Sequence, residues 1–422
     1  MLACALVFSS CSRNTRVYDS VTEGRISDSV SAPDSSSELS GSLTFYYSGN
    51  GSQLKYLAER FMSENENVTI EFYNYDNDSD AELITKLTSG QAGDIIDLSN
   101  IDMYRYSGSG LFENLYKYMN DDPDFNMDDY YTNIFRAMEI DDRLLAVPYA
   151  FTYTTLRFNS SLMELIGVDA DSLESVDCYD IYDYYSRVMQ VCESGESLKL
   201  SEWNMLDLEI SAFFDPIKNL NDFSRFSEFL TIDKEIDAHK IAFSSYLNNP
   251  YSDDMMLTSN QLLKCVYPSA ADMNFLRFDY SNENNSLPVT VTDSAGNIPF
   301  TVTSGPYAIS SLSNNKDLAW SFLKYMISDI ELGSKIKRGM NINGFLINRN
   351  VNQQIYDVMN TGGMDELFEK MDSELEKLSV YSYYNEARAS ISSAVSSFLY
   401  GSSDTESCAS ACSDIALKYL GE

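Results

Sequence analysis

Residues 43–98 read LTFYYSGNGSQLKYLAERFMSENENVTIEFYNYDNDSDAELITKLTSGQAGDIIDL, and this stretch decides the fold. Leu43–Tyr47 is a short apolar and aromatic run that predicts a strand, and Ser48–Ser52 is a Gly/Asn/Ser turn. From Leu54 to Ser63 the spacing predicts a helix, because Leu54, Leu57, Ala58 and Phe61 fall on one face. Val68–Tyr75 predicts a second strand, with Val68, Ile70 and Phe72 alternating with polar residues. Asp78–Ser89 reads as a second helix with an Asp or Ser cap, and Ile95–Leu98 as a short buried strand after Gly93-Asp94. Strand, helix, strand, helix, strand implies crossover connections and a parallel sheet. Ligands of such sheets bind beyond the carboxyl ends of the strands. Those ends are Tyr46–Asn50, Tyr75–Asp78 and Asp97–Asp102.

The rest of the chain extends this pattern. From about Asn159 to Leu263 it is mostly helical, with Tyr179–Cys192 and Leu206–Leu220 as the clearest segments. Strand signals return at Phe300–Val302 and Tyr307–Ile309, and helices follow at Asp317–Ser328, Asp365–Leu378, Glu386–Phe398 and Ser407–Leu420. Roughly 380 residues are too many for one compact core. The fold class expected is α/β in two lobes, each a mostly parallel sheet flanked by helices. Two or three chain crossings between the lobes would form a hinge.

Composition removes several function classes. With 29 Lys and Arg against 64 Asp and Glu, the 422-residue chain carries a formal charge of −35. Such a body repels nucleic acid and anionic lipid, so neither is expected as a partner. After the first ten residues no apolar run reaches the length of a membrane-spanning helix. The 30 tyrosines supply both core and walls suited to sugar rings, since each has an apolar face and a hydroxyl. Cys178, Cys192, Cys265, Cys408 and Cys412 follow no zinc spacing. Free, partly buried thiols are the reading, one disulfide the alternative, and Cys408 and Cys412 lie one helical turn apart. Asp76-Asn-Asp78-Ser-Asp80 has the alternating carboxylates of a calcium loop, but Ala81 stands where glycine is needed and Leu87 where a bidentate glutamate is needed. Helix capping is the better account, and no metal or cofactor is expected. There is no G-x-S-x-G and no H-E-x-x-H, and the single histidine, His239, sits between Asp237 and Lys240 on a helix surface. An enzyme is therefore not expected; a secreted glycoside hydrolase, which needs only two opposed carboxylates, is the less favoured alternative.

At the other end of the chain, Met1–Ser10 is short and apolar and runs into Phe8-Ser9-Ser10-Cys11. This resembles a bacterial lipoprotein signal, cut before Cys11, whose sulfur is then acylated. Residues 1–10 carry no Lys or Arg, so the start of translation is expected upstream. Residues 11–42 form a serine-rich spacer that cannot bury enough apolar surface to order itself. The expectation is a lipid-anchored body on the outer face of the cytoplasmic membrane.

A family resemblance then enters on the motifs. Ser89-Gly-Gln-Ala-Gly-Asp94-Ile-Ile resembles the "sG..pDi" element of family 1 extracellular solute-binding proteins, which are maltose-binding-protein-like. Tyr106–Leu115 resembles their "y...G.l..L", Asp142–Pro148 their "dGklyaiP" with Arg143 in place of glycine, and Thr155–Met163 their "l.yN..lf". Ser304–Ser310 followed by Asn315–Met326 is similar to "gyaIs...knke.AwkFlky", and Leu399–Leu420 to the closing helices. The "p.TWdE" element is reduced to Cys178–Tyr182. The resemblance implies a type II binding-protein fold, a monomer whose cleft closes on a solute, and delivery to the permease subunits of an ABC importer. The ligand implied is a mono- or oligosaccharide; alternatives are a peptide, polyamine or phosphorylated compound, or a role as a sensor's ligand-presenting partner. The boundaries expected are 43–155 for the first lobe, 156–296 for the second, 297–330 for a return to the first, and 331–422 for C-terminal helices mainly in the second.

Candidate ligand residues come from two sources. The strand ends give Tyr47, Ser48 and Asn50 after the first strand, and Asp97, Ser99 and Asn100 after the third. The resemblance gives Tyr149, Thr152 and Tyr153 after Pro148, then Glu202, Trp203 and Asn204, and the aromatic cluster Tyr381, Tyr383 and Tyr384. Sugar hydroxyls need such acceptors and donors, and the C–H face of the ring packs on an aromatic. Each position has a plainer reading. Either Tyr46 or Tyr47 belongs to the core, and Asp97 can cap the turn that follows it. Trp320, on the apolar face of a helix, is core.

Overall fold

A computed structural model describes residues 38–191, 214–215, 220–221, 230, 262–266, 268–270, 288–293, 296–328, 343–360, 364–382, 386–399 and 401–421. The strands in chain order begin with β1 (Gly41–Tyr47), β2 (Val68–Asn74), β3 (Ile95–Asp97), β4 (Ala150–Tyr153), β5 (Thr155–Phe158), β6 (Ser175–Val176) and β7 (Phe214–Asp215). They continue with β8 (Leu220–Asn221), β9 (Leu263–Val266), β10 (Val289–Val291), β11 (Ile298–Ser304), β12 (Tyr307–Ile309), β13 (Phe345–Leu346) and β14 (Leu378–Tyr381).

The opening sequence folds as its periodicity predicts. β1 pairs in parallel with β2 and with β3, and the helices Ser52–Glu64 and Asp80–Thr88 make the two crossovers. The sheet order β12-β3-β1-β2 puts β1 inside and β2 at an edge. That position explains the patterns: Leu43, Phe45, Tyr46 and Tyr47 are all buried, whereas β2 alternates buried and exposed. The helix Ser52–Glu64 buries Leu54, Leu57, Ala58 and Phe61 against the sheet. Fully burying a leucine or phenylalanine side chain contributes roughly 1.5–3 kcal/mol. Phe322, from the helix Lys316–Ile327, packs on Phe45 and Phe61 and ties this layer together.

Gly93 and Asp94 show why the glycine-aspartate element precedes β3. Gly93 has φ +79°, and a Cβ there would sit 2.6 Å from the Thr44 carbonyl oxygen. Only glycine fits this left-handed, close approach. Asp94 then grips both backbone polar groups of Thr44 on β1. Its carboxylate accepts from the Thr44 N–H at 2.8 Å, and its own N–H donates to the Thr44 carbonyl at 2.8 Å.

The described residues build two hydrophobic cores. One spans the β1–β3 layer and the sheet β13-β4-β11-β14. The other is built on the sheet β6-β10-β5-β9, with the helix Cys178–Val191 and the last two helices, Glu386–Leu399 and Thr405–Gly421. The fold is α/β and two-lobed. The chain passes from β4 in the first core to β5 in the second through a single residue, Thr154. It touches the first core again at Ala270, re-enters the second at β10, passes back between β10 and β11, and goes out again between Tyr381 and Ala387.

Two expectations change. Leu206–Leu220 was expected to be helical, yet Phe214-Asp215 pairs antiparallel with Leu220-Asn221. Pro216 follows Asp215 directly; it disfavours a helical conformation in the residue before it and offers no N–H to a helix interior. The C-terminal part also divides differently from the expectation that placed 331–422 mainly in the second lobe. Among the described residues, the helices Arg349–Met359 and Asp365–Leu375 and strand β14 pack into the first core, and the last two helices pack into the second. Trp320 is buried as expected, with its indole N–H donating to Asp122 at 2.9 Å.

Candidate functional site

β1 leads through its crossover to β2 on one side of the sheet, while β3 lies on the other side of β1. The carboxyl ends of β1 and β3 therefore flank the point where strand order reverses, which is where open α/β sheets form a crevice. Asp97 ends β3 there and is buried at 5 % exposure. Its carboxylate accepts from the Ser99 N–H at 2.9 Å and, more weakly, from the Ser48 N–H at 3.5 Å. Those two bonds stitch the loop after β1 to the loop after β3. The capping reading of Asp97 thus describes its own bonds, and its position keeps it at the floor of the crevice.

Around that floor stand polar groups from three strand ends. The Asn100 side-chain amide donates to the Ser48 hydroxyl at 2.7 Å, and that hydroxyl donates to Asp76 at 2.7 Å. Asp76 also accepts from the Gly49 N–H at 2.9 Å and from the Asn74 side chain at 3.1 Å. The Ser48 hydroxyl and the Gly49 N–H hold the Asp76 carboxyl below its ordinary value. Burial does the opposite to Asp97 and raises its carboxyl. Two carboxyls at the same crevice are therefore pushed apart, one exposed and firmly ionised, one buried and easier to protonate.

Buried tyrosines back this group. The Tyr75 hydroxyl donates to the Asp97 carbonyl at 2.8 Å. Tyr75, Tyr307 and Tyr381 all have hydroxyls raised by burial first and by the nearby Asp97 charge second. β12 carries Tyr307 to this place by pairing antiparallel with β3, Tyr307 opposite Asp97. The Tyr149 hydroxyl accepts from Gln53 at 3.1 Å, which joins the segment after Pro148 to the helix that follows β1.

The candidate residues thus sort by place. Ser48, Asp97, Ser99 and Asn100 meet in one hydrogen-bonded group, with Ser99 and Asn100 exposed. Asn50 is exposed on the adjoining turn, where its side chain accepts from the Ser52 N–H at 3.1 Å. Tyr47 is buried at 7 %, edge-on to Phe72, with Lys55 5.2 Å above its ring. Tyr46, expected to differ from it, is equally buried and stacks on Tyr73. Thr152 is buried and donates to the Pro268 carbonyl at 2.8 Å. Tyr153 stacks on Phe345 and Tyr381 on Phe300, so both rings are enclosed by neighbours. Glu202, Trp203, Asn204, Tyr383 and Tyr384 lie outside the described residues, as do Cys11 and His239.

Sequence reading passed over Asp76, Tyr75, Gln53 and Tyr307 as site residues. Asp76 and Tyr75 lie at an anticipated strand end, so the signal is present there, although Asp76 equally fits the alternating carboxylates of a calcium loop. The cap itself is Ser79, which accepts from the Glu82 N–H while Glu82 accepts from the Ser79 N–H. Asp78 pairs instead with Lys86 at 2.7 Å. Among the described residues no group of three His, Cys, Asp or Glu side chains is placed to hold a metal ion. Cys408 and Cys412 are free and buried. Among the described residues no helix is long and apolar enough to cross a membrane.

A group of acceptors and hydroxyls at strand ends can hydrogen-bond a polar solute. Residues 47–183 match the family of bacterial extracellular solute-binding proteins. The match begins at Tyr47, contains Asp76, Asp97 and Asn100, and covers the motifs between Ser89 and Met163, while those from Ser304 onward lie outside it. No curated protein matches the chain in sequence. Solved solute-binding structures share its fold across nearly its full length. The sugar-binding protein MalE from Xanthomonas citri is 15% identical, with 90% of this chain and 98% of that one covered and a TM-score of 0.65. The substrate-binding protein Lmo0181 from Listeria monocytogenes, solved in complex with cycloalternan, is 15% identical over 90% and 99%, with a TM-score of 0.61. The GacH receptor of Streptomyces glaucescens, solved unliganded and with acarbose, is 18% identical over 91% and 100%, with a TM-score of 0.59. At these identities the likeness is one of fold.

Proposed function

We propose that this chain is the solute-binding component of an ABC importer and that it captures a mono- or oligosaccharide between its lobes without breaking a bond in it. The observation that carries the reading is the convergence of Ser48, Asp97 and Asn100 at the β1/β3 crevice, beside the exposed carboxylate of Asp76. These groups offer acceptors and donors at hydrogen-bonding reach of one another, as a polyol needs. Support also comes from solved neighbours of the same fold, one a sugar-binding protein and two solved with cycloalternan or acarbose. In this reading residues 1–10 are a signal, Cys11 is the lipid attachment site, and residues 11–42 are the tether that holds the lobes near the permease. Residues 43–155 and 297–330 supply the first lobe and 156–296 the second. Tyr149 adds to the first-lobe side of the cleft, and Glu202, Trp203, Asn204, Tyr383 and Tyr384 complete it from the far side.

A thermal-shift screen of mono- and oligosaccharides on the chain from Leu39, one compact unit, tests it. A ligand at a hundredfold excess over Kd raises stability by about 2.7 kcal/mol. Asn100→Ala should weaken the sugar that gives the shift by about tenfold, the worth of one well-placed hydrogen bond. A shift with a polyamine or peptide and with no glycan would overturn the carbohydrate reading. Release of a chromophore from an aryl glycoside would overturn the reading of capture without turnover.

A further inference from the structure

Five residues beyond Asp97, on the same loop, a second buried carboxylate faces the other core. Asp102 is 2 % exposed. It caps its own helix, Met103–Ser107, by accepting from the Arg105 N–H at 3.1 Å. It also accepts from the Glu386 N–H at 3.2 Å, the first residue of the helix Glu386–Leu399. Finally it takes the hydroxyl of Tyr419, on the helix Thr405–Gly421, which donates at 2.7 Å to both carboxylate oxygens. The last two helices belong to the second core, while Met103 and the residues before it belong to the first. One carboxylate therefore closes the helix starts of two lobes and grips a third helix. The contact is reinforced at its edges: the Tyr104 ring stacks on Tyr419 with centroids 5.8 Å apart, and Arg105 pairs with Glu386.

We infer that Asp102 is a latch that holds the two lobes in this arrangement and opens when they swing apart. A buried carboxylate left without its donors is costly, so the bonds to Glu386 and Tyr419 are made or lost as a set, and water must enter when they part. That is the behaviour of a two-position switch and not of a freely sliding surface. Ser99 and Asn100 lie between Asp97 and Asp102, so a solute held by them sits on the loop whose far end is the latch. The inference concerns the lobes and does not depend on which solute is bound.

The test measures lobe separation in the full chain without ligand. Spin labels on non-natural amino acids at the exposed positions Glu59 and Glu164, one on each lobe, leave the native cysteines alone. Tyr419→Phe keeps the ring on Tyr104 and removes only the donated hydroxyl. It should add a second population to the distance distribution, with the open-to-latched ratio raised about tenfold, the worth of one hydrogen bond to a charged group. Asp102→Asn keeps an acceptor for the Arg105 N–H and should shift the distribution in the same direction, which covers the case in which Tyr419→Phe does not fold. A distribution unchanged in either folded variant, whether or not the urea midpoint falls, would make Asp102 a fixed joint and overturn the latch.

Discussion

Asp97 carries the clearest consequence at the scale of one residue. Burial raises its carboxyl above the ordinary value of 3.8, against the pull of the Ser99 and Ser48 backbone donors. Between that value and the raised one, the folded chain holds more protons than the unfolded chain. Stability contributed by this group is therefore full at low pH and is lost as pH rises through the folded value. Asp97→Asn has no such titration. The urea midpoint of the parent should fall relative to that of the variant as pH is raised from about 4 upward, and then run parallel to it. Parallel profiles throughout would mean that the carboxyl is not desolvated. The same residue shows what sequence leaves open. Its place at a strand end was legible, but a carboxylate that stitches two loops and one that holds a solute occupy the same position, and neighbours decide between them.

Local chemistry governs at the scale of the element. The helix Asp80–Thr88 starts with a capping box in which Ser79 and Glu82 satisfy each other's backbone N–H groups. Ser79→Ala leaves one of those donors without its side-chain partner and should cost about 1 kcal/mol, read as a lower urea midpoint with an unchanged slope. An unchanged midpoint would show that solvent replaces the cap without loss. Elements of this kind were legible because their signals are short-range. The face formed by Leu54, Leu57, Ala58 and Phe61 is the face that is buried. In Leu206–Leu220 the apolar spacing favours a helix and Pro216 opposes one, and the proline's covalent limits are the stronger signal.

Charge acts at the scale of the whole molecule. A formal charge of −35 is spread over one chain, and like charges repel more in the folded body than in the expanded one. Raising NaCl from about 0.01 to 0.15 M shortens the screening length from about 30 to 8 Å. The melting temperature should therefore climb with salt over that range, and equally in choline chloride. A flat or falling profile would show that favourable ion pairs, such as Lys324 with Asp122, outweigh the repulsion. The sequence alone determined the strand-helix alternation, the parallel pairing of its first three strands, and the strand ends where a solute would sit. All of these follow from periodicity and steric rules that act within a few residues of one another. Only the tertiary structure decided that Tyr307 stands opposite Asp97, that Gln53 meets Tyr149, and that Tyr419 and Glu386 close on Asp102. Each of those contacts joins segments far apart in the chain, and which ones meet is set by how whole sheets and helices bury their apolar faces, a balance that no local pattern records.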